Sequence, residues 1–213
     1  MKGAERHKDN KPKVLAIHGA KSNSTVTKIQ LNNLNITEEK YDITYVDGLI
    51  TEGRGDQDIH NFVDGPFHSW YYETTDERFK ESFLEAVVHV CEKILSEGPF
   101  NIIYGFSQGA TIAAAVGAIH SHIEFRNFVL KWAKIDSQCS EEFLCKAPCD
   151  HMILGCASED PSILSSKVFN FSMIENYVKI SSFHLVGISD PFRPNSEKMS
   201  RFFYDARVNY MSD

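Results

Sequence analysis

Gly105-Phe106-Ser107-Gln108-Gly109 sets a serine midway between two glycines. Ile102, Ile103 and Tyr104 before it read as a short buried strand. Thr111 to Ile119 after it reads as a helix rich in alanine. A G-x-S-x-G sequence in that context forms a sharp turn that exposes the serine hydroxyl. A side chain at either glycine position would collide with neighbouring backbone. The helix start aims its free N–H groups at the place where an oxyanion would form. The chemistry this suits is attack by Ser107 on an acyl carbonyl.

A serine hydroxyl is a poor nucleophile at neutral pH and needs a general base, normally histidine. The histidine in turn needs a carboxylate to set its tautomer and stabilise its cation. Ser107 followed by Asp190 satisfies the first two places of the order Ser, Asp or Glu, His. Asp190 follows an apolar strand and precedes Pro191, although Asp is also a common turn cap. Asp160, in the polar stretch Ser158-Glu159-Asp160-Pro161, is the less favoured acid. The backbone N–H groups of Gln108 and Ala20 are the expected oxyanion donors. His18 is expected to shape the Ala20 loop. His18, Trp70 and Phe106 are candidate walls of the substrate pocket, and Trp70-Tyr71-Tyr72 reads equally well as a packing anchor.

Strands are expected at Val14 to Ile17, Tyr41 to Val46, the Ser107 strand, Met152 to Leu154 and Phe183 to Ile188. Helices are expected at Thr27 to Leu34, from a capping box at Thr74 and Glu77 to the stop at Gly98-Pro99, after Ser107, and over Ser196 to Val208. Phe125, Phe128, Val129 and Trp132 could form one helix face, with the rest of Glu124 to Pro148 a loop or lid. Thr51 to Phe67 reads as an irregular loop. Alternation of strand and helix implies an α/β fold with a mostly parallel, doubly wound sheet and helices on both faces. Working residues then sit at the carboxyl ends of strands, where His18-Gly19-Ala20, Ser107 and Asp190 all fall.

The 213 residues, 42% of them hydrophobic, suit one domain over 13–213 with a polar, flexible tail over 1–12. A net charge of −7 argues against nucleic acid as a partner. No apolar run is long enough for a membrane span, and the first 13 residues lack a signal-peptide core. Five cysteines, an odd number, point to reduced thiols and a cytoplasmic setting. Cys145, Cys149 and His151 match no usual zinc spacing, so neither metal nor other cofactor is expected.

Ile17-His18-Gly19, Trp70-Tyr71-Tyr72, Gly98-Pro99-Phe100, Gly105 to Ala110 and Gly187-Ile188-Ser189-Asp190-Pro191 carry a resemblance. From about Lys13 onward the chain resembles the family serine hydrolases, the small α/β-hydrolases that include the ovarian-cancer-associated esterase and fungal thioesterases. The resemblance implies cleavage of small carboxylic esters or thioesters, with Ser107 as nucleophile and Asp190 as acid. Acyl-protein thioesterases and carboxylesterases share the serine turn and form an alternative. In one respect the chain departs from the family. There, a Gly-His pair after one more strand supplies the base, whereas here none of the nine histidines follows Asp190. That last strand is expected to be absent and the chain to be shortened. The competing expectation is an inactive relative that binds a ligand. His60 or His68 could act as base only in a rewired triad. Substrate and oligomeric state are not legible.

Overall fold

The computed structural model describes residues 11–56, 59–74, 77–134, 147–161 and 177–212. Most of the expected tail lies outside the described residues, as do Cys139, Cys145 and most of the expected lid. The elements that position the site are β1 (Lys13–Ile17), α1 (Ser24–Asn33), β2 (Asp42–Val46), β3 (Ile50–Glu52), β4 (Phe67–Ser69), α2 (Glu77–Glu97), β5 (Ile102–Phe106), α3 (Gln108–Ser121), α4 (Ile123–Ala133), β6 (His151–Gly155), β7 (Ser181–Gly187), α5 (Arg193–Arg201) and β8 (Ala206–Met211).

Six strands form one sheet in the order β2-β1-β5-β6-β7-β8, and every pairing in it is parallel. Alternate residues of each strand face opposite ways. Leu15, Ile17, Ile103, Met152 and Leu154 face the core built with α2, α3, α4 and α5. Val14, Ala16 and Tyr104 face Leu31 of α1. The expected layering, with helices on both faces, is the one found. Residues Gln108 to Ile119 of α3 are all buried, which is why, apart from Gln108 and Thr111, that stretch is made of Ala, Gly, Ile and Val with no polar face. Among the described residues no helix is long and apolar enough to cross a membrane.

Two parts of the chain differ from expectation. The segment read as one loop over Thr51 to Phe67 begins and ends in strand. β3 and β4 pair antiparallel, with Ile50 opposite Ser69. Each is only three residues long, too short for a visible period.

The second difference is at the carboxyl end. The strand expected to be absent is β8, and the helix expected to reach Val208 stops at Arg201. Met199, Phe202 and Phe203 are buried as their spacing suggested, but the last two lie in the turn after the helix. That turn is captured by the approach to β7. Val178 N–H donates to Phe202 O, Tyr204 N–H to Val178 O, and Ser182 N–H to Asp205 O. The chain then runs beside β7 in register from Ser182 with Ala206 to Gly187 with Met211.

Candidate active site

Ser107 joins β5 directly to α3 with φ 53° and ψ −119°, a left-handed conformation that L-residues avoid. The two glycines explain how it is held. A Cβ at Gly105 would lie 2.5 Å from Gly109 O, and one at Gly109 would lie 2.4 Å from His18 O. So α3 starts against β5 on one side and against the end of β1 on the other. Ser107 N–H donates to Gly155 O at 2.8 Å, and its carbonyl accepts from Ala110 N–H and Ser158 N–H. Ser158 is pinned from behind by Tyr71 Oη at 3.0 Å and by Asn195, whose amide donates to its carbonyl. The Ser107 hydroxyl makes no hydrogen bond within the described residues and is half-buried.

The β1 loop comes alongside. A Cβ at Gly19 would sit 3.3 Å from Ser107 Cβ and 3.2 Å from the Phe106 ring. Within the described residues, neither Ala20 N–H nor Gln108 N–H has an acceptor. Phe106 is half-buried beside the serine, wedged between Gly19 and Gly155. His18 and Trp70, candidates for the pocket wall, are instead wholly buried and brace the loop from behind. Trp70 Nε1 donates to His18 O at 2.8 Å. The Gln108 side chain accepts from Trp70 N–H and donates to Tyr71 O and Glu73. The aromatic triplet is therefore a packing anchor that ties β1, α3 and the start of α2 together.

Asp190 stands three residues beyond β7, half-buried. Its Oδ1 accepts from Phe192 N–H at 2.8 Å, and its carbonyl accepts from Arg193 N–H, so a tight turn holds it ahead of α5. The Cys156 thiol, on a residue with φ 47° just after β6, faces the Asp190 carboxylate. Burial, then that carboxylate, push the thiol up to about 11. The sequence offered no signal for this neighbour beyond its place at a strand end. Asp160 is paired with Lys198 at 2.8 Å. Ser107 and Asp190 follow strands separated by one, hence starting points roughly 10 Å apart, a gap of imidazole size.

No described histidine fills that gap. Both His18 ring nitrogens are engaged, Nδ1 with Gly19 O and Nε2 with Gly48 N–H at 2.9 Å. Burial depresses its imidazole to about 4, so the Asp47 carboxylate 3.7 Å away faces a neutral ring. His184 is buried in β7 against Ser182 and Phe203, and burial alone lowers it to about 4. His60 is bound by Arg54 at the surface, and the His68 backbone pairs with Ser22. A groove of about 1000 Å³ lined by Lys11, Asp42 and Asn101 lies at the amino ends of the strands, the edge opposite Ser107. Among the described residues no group of three His, Cys, Asp or Glu could hold a metal.

The family model described as serine hydrolase (FSH1) matches residues 7–212. Hydrolase phiM of Talaromyces stipitatus is 26% identical over 184 residues, covering 84% of this chain and 68% of that protein. Esterase FUS5 of Gibberella moniliformis is 28% identical over 112 residues, 50% of this chain and 48% of that protein, so the chain's match spans about half of that relative. The Bacillus cereus carboxylesterase structure aligns with a TM-score of 0.56 at 16% identity, covering 98% of this chain and 82% of that one, which shows a shared fold.

Proposed function

Because the chain belongs to the serine hydrolase family described as FSH1, we propose that Ser107 is the nucleophile of an esterase or thioesterase and Asp190 its triad acid. The observation that carries this reading is the left-handed Ser107 between two glycines that admit no Cβ. Ser107 Oγ attacks the acyl carbonyl carbon and passes its proton to the base. The carbonyl oxygen becomes an oxyanion between the N–H groups of Ala20 and Gln108. Collapse expels the alcohol or thiol, which takes that proton, and leaves the acyl group on Ser107. Water, deprotonated by the same base, then releases the carboxylic acid. The hydrolase domain is placed over 13–213, and reduced thiols such as Cys91 and Cys149 support a cytoplasmic setting.

The base belongs between Ser107 and Asp190, and none of the nine histidines follows Asp190. A second reading is an inactive hydrolase fold that keeps its cleft for binding, supported by the engagement of His18, His60 and His184 elsewhere than between Ser107 and Asp190. Hydrolysis of a panel of aryl and thiol esters, with and without added imidazole, separates the two. The first reading expects turnover that imidazole raises and that Ser107→Ala abolishes, with Asp190→Asn reducing any unassisted rate. Absence of Ser107-dependent turnover in both conditions contradicts it and favours the binder. Preference for long acyl chains would favour the acyl-protein thioesterase type.

A further inference from the structure

The ring of His18 is buried behind the β1 loop, and all its polar atoms are assigned. Gly48 N–H can only donate, so His18 Nε2 is the acceptor and the ring proton is on Nδ1. Nδ1–H then donates to the carbonyl of Gly19. The Gly19–Ala20 peptide is trans, so its N–H points away from its C=O. Holding the Gly19 carbonyl on the His18 side sends Ala20 N–H to the other side, where Gly19 lies against Ser107.

We propose that His18 is a positioning residue that presents Ala20 N–H as an oxyanion donor through its own Nδ1–H bond to Gly19. This rests on the reading of Ser107 as nucleophile. The ring is itself locked in place. Trp70 Nε1 holds the His18 carbonyl. The Trp70 ring lies 5.0 Å from the imidazole, with His68 at 6.4 Å. Gly48 cannot be replaced without moving its N–H, because a Cβ there would lie 2.4 Å from Ser69 O. The next peptide is fixed separately. Lys21 N–H donates to Ser69 Oγ, which donates to Glu52 at 2.6 Å, and Lys21 has φ 48°. The two peptides around Ala20 are thus set by different partners, and only the first depends on His18.

NMR on the intact chain tests the geometry without requiring turnover. The ¹⁵N shifts of His18 at neutral pH are expected to show the Nδ1–H tautomer. The N–H residual dipolar coupling of Ala20, which reports that peptide's orientation, is expected to change in His18→Leu and to stay near wild type in His18→Asn, whose amide N–H can reach Gly19 O. An Nε2–H tautomer, or an Ala20 coupling unchanged in His18→Leu, overturns the proposal. Should His18→Leu not fold, the tautomer and His18→Asn decide it. In the imidazole-assisted ester assay, His18→Leu is expected to lower kcat about a hundredfold, the scale of one lost oxyanion donor, with little change in KM. His18→Asn recovers most of that. Equal losses in Leu and Asn contradict the proposal. Absence of Ser107-dependent turnover in wild type instead overturns the nucleophile reading, and the NMR arms still stand.

Discussion

Ser107 bears the conformational cost of its own exposure. A non-glycine residue at φ 53° and ψ −119° is strained by about 1–3 kcal/mol, held by the bonds of its N–H to Gly155 and its carbonyl to α3. Ser107→Gly is therefore expected to be more stable to urea than Ser107→Ala by about 1 kcal/mol, although both lose the hydroxyl. Equal stability would mean that the turn is not strained. Gln108 carries a different load. Its buried amide satisfies Trp70 N–H and Tyr71 O, so Gln108→Ala leaves both without a protein partner and should cost about 1–3 kcal/mol. Urea midpoints measure it, and a variant as stable as wild type would show that the clamp is dispensable. The sharp turn at Ser107 and the strand-end position of Asp190 were legible because a motif marks the first and an apolar strand before Pro191 the second. His18 as a shaper of the Ala20 loop and Trp70 as part of a packing anchor were also legible, but the partners of His18 and Trp70 were not. Both are set by hydrogen bonds across 30 and 52 positions of chain, which no local pattern encodes.

Elements were legible where burial imposes a period. β1, β5 and β6 are continuous apolar runs, and α2 keeps its stripe from Phe79 to Ile94. The β8 strand was not legible, for a physical reason. As an edge strand it is mostly exposed, with the burial of Ala206–Met211 intermediate or exposed throughout, and although Ala206, Val208 and Tyr210 alternate with Arg207 and Asn209, the helical spacing just before it runs into this short stretch and masks it. Helical spacing at Met199, Phe202 and Phe203 reflected packing of a turn and not continuation of α5. The junction of β1, β5 and α3 makes the sharpest prediction at this scale. Gly109→Ala places a Cβ 2.4 Å from His18 O and 2.5 Å from Ile17 O, both backbone atoms that cannot swing aside. Destabilisation of about 1–3 kcal/mol is expected, together with loss of any Ser107 reactivity as α3 is pushed off β1. A fully reactive, wild-type-stable Gly109→Ala would refute this account of the turn.

For the whole molecule, two buried neutral histidines set an acid limit. His18 and His184 both drop from 6.5 to about 4 on folding. The unfolded chain binds these protons more tightly, so stability falls as pH drops from about 6.5 to about 4 and levels off below, as far as these groups are concerned. Each contributes a loss of about 2 kcal/mol by pH 5. Urea unfolding at pH 7 and pH 5 should show the loss, and His184→Leu should roughly halve it. Stability unchanged or higher at pH 5 would contradict the burial of uncharged imidazoles. The sheet that buries them also brings the ends of β1, β5 and β7 to one rim, and the account stands on what the rim does. Its most direct test is a fluorophosphonate probe on the folded chain with imidazole supplied, followed by peptide mass mapping. One phosphonyl adduct, on Ser107 Oγ with loss of fluoride and absent from Ser107→Ala, is the predicted result. No adduct, or an adduct elsewhere, would contradict it.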